Sequence, residues 1–138
     1  MPSIEQIPPY LAWPLRQQVM YPEMAIEDVK LENDDMGMHF GLFDHNKLIS
    51  VISVFEEKEE IQFRKFATLS EYQGKGYGST LLEFVINFSK EQRCKRLWCN
   101  ARKNVSGFYK KFGFTETTQT FFQNGYDFVI MELYLSEN

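Results

Sequence analysis

The hydrophobic pattern of this chain changes period across one glycine-rich turn. Residues 61–69 alternate, with Ile61, Phe63, Lys65, Ala67 and Leu69 set against Gln62, Arg64, Phe66 and Thr68, as a β-strand would. Residues 79–92 instead place Leu81, Leu82, Val85, Ile86 and Phe88 along one side of a helix. Between the two stands Gln73-Gly74-Lys75-Gly76-Tyr77-Gly78. A strand that turns through glycines into an amphipathic helix needs a sheet face for the helix stripe to cover, so the segment commits the chain to helices layered on a sheet. Both faces of residues 61–69 carry apolar side chains, which predicts a central strand.

The remaining segments fit that frame. Residues 3–7 read as a short strand, and Pro8-Pro9 introduce a helix over residues 10–20, where Leu11, Leu15 and Val19 recur at helical spacing until Pro22 ends it. The polar stretch 27–37 reads as a short helical turn and loop. Two β-rich runs, 38–43 and 48–55, flank the turn formers Asp44-His45-Asn46-Lys47 and predict a hairpin. The charged run 56–60 then leads into the strand at residue 61. Residues 96–101 predict a short strand, residues 105–112 a short helix stopped by Gly113, and residues 114–122 and 128–135 two closing strands. The expected fold class is α/β (α+β), a mixed, mostly antiparallel central sheet flanked by helices, in a single domain over residues 1–138.

At 138 residues the chain is long enough to bury a core without disulfides or metal. A net charge of -4 argues against a dedicated nucleic-acid binder, which must neutralise phosphates. Cys94 and Cys99 are too few for a disulfide framework, and with only His39 and His45 beside them no zinc set can be assembled, so no metal is expected. The amino terminus lacks the basic start and apolar run of a signal peptide, and no apolar stretch approaches membrane-spanning length. A soluble, cytoplasmic protein without a membrane partner is the expectation.

The glycine turn sits where the first N–H groups of a helix lack partners and the helix dipole favours an anion. Without Cβ atoms at Gly74, Gly76 and Gly78, the backbone can approach a diphosphate closely and adopt angles other residues avoid. Lys75 either adds charge at the rim or is solvated. A Walker A loop requires GxxxxGK[ST], which is absent, and a dinucleotide fingerprint requires GxGxxG in an early βαβ unit. Neither matches. An ordinary glycine-rich helix entry is the alternative on these residues alone.

Two motifs together go further. Gln73-x-x-Gly76-x-Gly78 resembles the [RQ]-x-x-G-x-[GA] acetyl-CoA signature of the GNAT superfamily, with Phe66-Ala67-Thr68-Leu69-Ser70-Glu71-Tyr72 as its lead-in strand. Leu97-Trp98-Cys99-Asn100-Ala101-Arg102, Asn104 and Phe108-Tyr109-Lys110-Lys111-Phe112-Gly113-Phe114 are similar to the strand, helix and FYxxxGF ending of the same superfamily. The resemblance spans essentially the whole chain and includes a bacterial branch of small members. That branch often has a histidine entering the last strand, where this chain has Asp127.

The resemblance implies acetyl transfer from acetyl-CoA, as co-substrate, to an amine by direct attack through a tetrahedral intermediate. It implies that the backbone of Phe66, Ala67 and Thr68 holds the acetyl-pantetheine end, with a backbone N–H near Ala67 facing the thioester oxygen, and that Gln73, Gly74, Lys75, Gly76, Tyr77, Gly78 and Ser79 hold the diphosphate. Tyr109 is placed as the acid that protonates the departing thiolate, where on composition alone it reads as a core aromatic. Asn104 either orients the cofactor arm or caps the short helix. The general base is open among His39, Asp127 and a water chain, a lone histidine being more often structural. Arg64 and Glu71 read as solvated charges or as contacts to acceptor or cofactor, the cysteines as packing residues, and the run 56–60 as a solvated turn that discourages sheet-edge association or attracts a cationic acceptor. The acceptor is a small-molecule amine or a peptide or protein amine, and the chain a monomer or homodimer. A non-catalytic acyl-CoA sensor or regulatory module is the alternative, and an interaction protein that retains only the fold a third.

Overall fold

The computed structural model describes residues 2–135. In chain order the elements are β1 (Ser3–Ile7), α1 (Pro9–Met20), α2 (Ile26–Val29), β2 (Met38–Asp44), β3 (Lys47–Glu57), β4 (Glu60–Thr68), α3 (Tyr77–Glu91), β5 (Arg96–Arg102), α4 (Ser106–Lys110), β6 (Thr115–Gln123) and β7 (Tyr126–Tyr134). Single 3-10 turns occupy Asp34–Met36, Ser70–Tyr72 and Lys103–Val105. The strands form a seven-stranded sheet in the order β1-β2-β3-β4-β5-β7-β6. β4 and β5 are parallel, whereas β1–β2, β2–β3, β5–β7 and β6–β7 are antiparallel. The expected mixed, mostly antiparallel sheet with flanking helices is what the chain forms. Among the described residues the chain divides into two compact units, one of residues 2–55 with Phe63–Val85, the other of Glu56–Gln62 with residues 86–135.

In the first unit, the β2–β3 hairpin closes through His45 and Asn46, both left-handed at φ 51 and 64. Paired positive φ values are the signature of the type I′ turn, whose twist matches that of its strands. The turn is therefore two residues long, and Asp44 and Lys47 belong to the strands. Every residue from Ile49 to Val54 is buried, so β3 has protein on both faces. Leu81, Leu82 and Val85 of α3 are buried with them, as the apolar stripe requires.

Helix α1 begins with Pro9 in its first turn, where the missing N–H costs nothing. It buries Ala12, Leu15 and Arg16, while Leu11 stays exposed, so the buried seam is rotated from the Leu11-Leu15-Val19 stripe read in the sequence. Arg16 explains the rotation. Its guanidinium is fully buried and donates to both carboxylate oxygens of Asp34 at 2.8 and 2.9 Å, to the Val29 carbonyl at 3.3 Å and to Ser53 Oγ at 2.8 Å. Asp34 also accepts from Trp13 Nε1 and from the Leu31 N–H. A buried charge pair of this kind is tolerated only when its donors and acceptors are matched. Here Arg16 Nε alone, among the described residues, is buried without a partner.

In the second unit, β5 pairs with β7 along its whole length, from Arg96↔Tyr134 to Arg102↔Phe128. Ile61, Leu97, Cys99, Ala101, Phe114, Val129 and Met131 form the buried core. The parallel ladder with β4 covers only Glu60↔Arg96 to Gln62↔Trp98. Gly113, at φ +96, ends the turn after α4, as its position in the sequence predicts.

The charged run 56–60 differs from its sequence reading. It joins β3 to β4 in the interior of the strand order, so it guards no edge; β1 and β6 are the edge strands. Its glutamates are partly paired, Glu59 with Lys95 at 3.1 Å and Glu60 with Arg96 at 3.1 Å, and Arg96 also meets Glu132 at 2.7 Å.

Candidate active site

The first unit carries the glycine turn and the strand that feeds it. After β4 the chain makes the 3-10 turn Ser70–Tyr72, and the Gln73 side chain donates back to the Thr68 carbonyl at 2.8 Å, tying the turn to the end of the strand. Gly74 and Gly76 follow at φ 77 and 90. A Cβ at either would meet no atom within 4 Å, so glycine is present for its backbone angles, with open space beside it. Gly78 differs from the sequence expectation. It lies inside α3 without a left-handed angle, and a Cβ there would touch Thr68 Oγ1 at 3.4 Å and Phe66 Cζ at 3.5 Å. Both are ordinary contact distances, so the first turn of α3 lies against β4 at normal packing distance.

The first helical hydrogen bond of α3 is Thr80 N–H to the Gly76 carbonyl at 3.0 Å. The N–H groups of Tyr77, Gly78 and Ser79 therefore precede the helical ladder and have no partner within it. These donors, at the positive end of a 15-residue helix and beside two glycines with open surroundings, fit the oxygens of a diphosphate. Lys75 is exposed, its ammonium 5.7 Å from the centre of the Tyr72 ring. Tyr77 anchors the turn from the other side by donating to Asp44 Oδ2 at 2.6 Å. That bond holds the Asp44 carboxyl below its usual range and pushes the Tyr77 phenol up.

Within β4, Lys65 is left-handed, at φ 54. A side-chain-bearing residue in that region costs on the order of 1–3 kcal/mol and is held only where its surroundings demand it. The kink brings Phe63 and Phe66, which strict alternation would send to opposite faces, edge to face at 6.2 Å. Lys65 is half-buried, donates to the Tyr21 hydroxyl and lies 4.7 Å from the centre of the Tyr21 ring. The strained residue immediately precedes Phe66, Ala67 and Thr68, the backbone that the family resemblance implies for the pantetheine end. Alternation in the sequence gave Lys65 only a place in a strand.

The second unit carries Tyr109 and Asn104. Tyr109 is half-buried on α4, its ring edge-on to Phe108 at 5.2 Å and to Phe114 at 5.9 Å. Burial first, and the nearby Cys99 second, push its phenol well above the usual tyrosine range, so it stays protonated throughout the neutral range. Asn104 is exposed in the 3-10 turn before α4. The residue capping α4 is Val105, with no side-chain cap bond, so Asn104 does not cap that helix.

His39 is removed from the possible bases. It is 2% exposed, and its two ring nitrogens lie 2.7 Å from Ser53 Oγ and 2.8 Å from the Asp34 carbonyl. The Asp34 carbonyl can only accept, so Nε2–H donates to it, while Nδ1 pairs with Ser53 Oγ, which also accepts from Arg16. The ring is a satisfied structural group. Asp127, by contrast, is exposed on β7 opposite Phe122. Cys94 and Cys99 are buried, and burial pushes the Cys99 thiol up to about 12, which suits packing and not nucleophilic attack. A surface groove of about 390 Å³ lined by Ser3, Glu5, Phe43, His45 and Asn46 contains none of the assigned site residues.

Residues 14–135 match the acetyltransferase (GNAT) domain family. The chain belongs to the GNAT acetyltransferase family. It is 31% identical over 116 residues to the uncharacterized N-acetyltransferase YitI of Bacillus subtilis, a match covering 78% of each chain. Among solved structures it resembles a putative N-acetyltransferase from Lactobacillus plantarum, with a TM-score of 0.87 at 19% identity over 98% of this chain and 99% of that one. It also resembles a GNAT family acetyltransferase from Elizabethkingia anophelis with acetyl-CoA bound, with a TM-score of 0.75 at 20% identity over 97% and 98% of the two chains. At these identities the structural likenesses speak for the GNAT fold. Acyl transfer from an acyl-CoA is the general activity of the family. Among the described residues no helix is long and apolar enough to cross a membrane.

Proposed function

We propose that this chain transfers the acetyl group of acetyl-CoA to an amine, with residues 1–138 acting as one catalytic domain in the cytoplasm. The observation that carries the reading is the start of α3, where three N–H groups precede the first helical hydrogen bond beside two left-handed glycines in open surroundings. A GNAT relative of the same fold is described with acetyl-CoA bound, which supports the choice of donor.

In this reading Gln73, Gly74, Lys75, Gly76, Tyr77, Gly78 and Ser79 hold the diphosphate, and Asn104 orients the cofactor arm. The β4 backbone at Phe66, Ala67 and Thr68 pairs with the pantetheine amides. A backbone N–H near Ala67 faces the thioester oxygen, a pre-oriented donor for the charge that develops there. The neutral amine attacks the thioester carbon, the C–N bond forms and the C–S bond breaks, and Tyr109 gives its proton to the departing sulfur. Its elevated affinity for that proton keeps it loaded at neutral pH. A thiolate leaving into a water-poor site is made more basic by the same desolvation, which narrows the gap between them. With His39 committed to the core, the amine loses its proton to Asp127 or to water. The acceptor is a small-molecule, peptide or protein amine, and the protein acts as a monomer or homodimer.

Release of free coenzyme A, measured with acetyl-CoA and an amine panel, tests the reading. Tyr109→Phe is expected to lower kcat roughly 100-fold while leaving acetyl-CoA affinity nearly unchanged. Activity untouched by that change would remove Tyr109 from its role. Tight acetyl-CoA binding without turnover on any amine would point instead to an acyl-CoA sensor.

A further inference from the structure

We infer that Lys65 and Tyr21 form the docking point for a carboxylate on the acceptor, which makes the acceptor an amine of the amino-acid type. The inference deepens the acetyltransferase reading and rests on it for the identity of the site. Three observations carry it, all within the first unit.

The first is charge without a counterion. In the same unit Arg16 and Lys30 face the carboxylates of Asp34 and Glu27. Lys65 is half-buried, and among the described residues it meets the hydroxyl and the ring face of Tyr21, both neutral. The second is the balance of donors. The ammonium carries three N–H groups and spends one on Tyr21, whose hydroxyl, having accepted, has its own proton to give. Among the described residues that proton has no acceptor. The pair thus presents donors and a positive charge together. The third is placement. Lys65 is held at a strained backbone angle one residue before Phe66 and two before Ala67, where the thioester is proposed to lie.

The Tyr21 side is fixed in advance. Its N–H donates to the Gln17 carbonyl at 3.0 Å, its carbonyl accepts from Met24 N–H at 3.0 Å, and Gln17 Nε2 binds the Met24 carbonyl at 2.6 Å. A docking point held this way loses little freedom on binding. One cation and one neutral hydroxyl match the single charge and two oxygens of a carboxylate. A phosphate dianion would leave excess negative charge in a half-buried place.

Titration calorimetry on the full chain, with the protein amino acids and their carboxamides as paired probes, tests this with and without coenzyme A. At least one free acid is expected to bind roughly tenfold tighter than its amide. Lys65→Asn, which removes the charge and tolerates the left-handed angle, erases the difference, and Tyr21→Phe reduces it. If Lys65→Asn fails to fold, as circular dichroism would show, Tyr21→Phe carries the comparison. An acid–amide preference absent from the native chain, or intact in the variants, overturns the inference. Turnover is scored separately: a carboxylate preference in a chain that neither binds acetyl-CoA nor releases coenzyme A would sink the acetyltransferase reading while leaving the anion site standing.

Discussion

Around Arg16, every donor but Nε finds an acceptor inside the protein, and Asp34, Ser53 and His39 complete a closed set of hydrogen bonds. At the start of α3 and at Lys65, in the same unit, donors outnumber the acceptors that the protein supplies. Both regions are polar, and the difference separates their work. A closed set holds the fold and has nothing left to offer a ligand, which is why His39 does not serve as a base. An open set costs stability and is retained where something from outside completes it.

The harshest way to break the closed set is to remove one partner. Asp34→Ala leaves the Arg16 guanidinium buried without compensation and is expected to cost about 3–5 kcal/mol, read from the urea midpoint. Replacing both, as Arg16→Met with Asp34→Leu, should cost clearly less than Asp34→Ala alone. Equal losses would mean that the pair is not what holds α1 to its neighbours.

Acid sharpens the same contrast at a smaller scale. Burial would raise the Asp34 carboxyl, but hydrogen bonds from Arg16, Leu31 N–H and Trp13 outweigh it and bring it to about 2, below its ordinary 3.8. A carboxyl depressed on folding stabilises the folded state in full above its unfolded value, and that share is lost as pH falls through about 2. The contribution is on the order of 2 kcal/mol. Urea unfolding followed from neutral pH down to about pH 2 should show it, with a flatter dependence in Asp34→Asn.

Much of this was legible before any coordinates. The change of period across residues 61–92 announced β4, the glycine turn and α3, because alternation, glycine and an apolar stripe are local signals. The closed set was not legible, since Arg16, the Asp34–His39 stretch and Ser53 lie apart in the chain and a polar residue carries no mark of its burial. Gln and Arg look alike on a helix until the partner across the core is known. Lys65 was missed for a related reason: a left-handed angle is foreshadowed by glycine or asparagine, and lysine announces nothing. Gly78, read as part of the diphosphate loop, lies in the first turn of α3 with ordinary helical backbone, so the left-handed angles of the loop belong to Gly74 and Gly76.

The smallest expected effect probes how the open set is aimed. Tyr77→Phe removes the bond to Asp44 that anchors the glycine turn, without touching the N–H groups themselves. Acetyl-CoA affinity should fall a few-fold, with the circular dichroism spectrum unchanged. A complete loss would mean that Tyr77 contacts the ligand directly.

The central claim is that the backbone donors at the start of α3 clasp the diphosphate of acetyl-CoA. Thermal melting of the native chain and of Gly76→Ala, each with saturating acetyl-CoA, tests it most directly. At about 100 times Kd the native chain should gain on the order of 2.7 kcal/mol, a rise of several degrees in Tm. Gly76→Ala, strained at φ +90 and carrying a methyl beside the loop, should melt lower and lose most of that ligand-induced rise. A native chain whose Tm ignores acetyl-CoA, or a variant that keeps the full rise, would contradict the account.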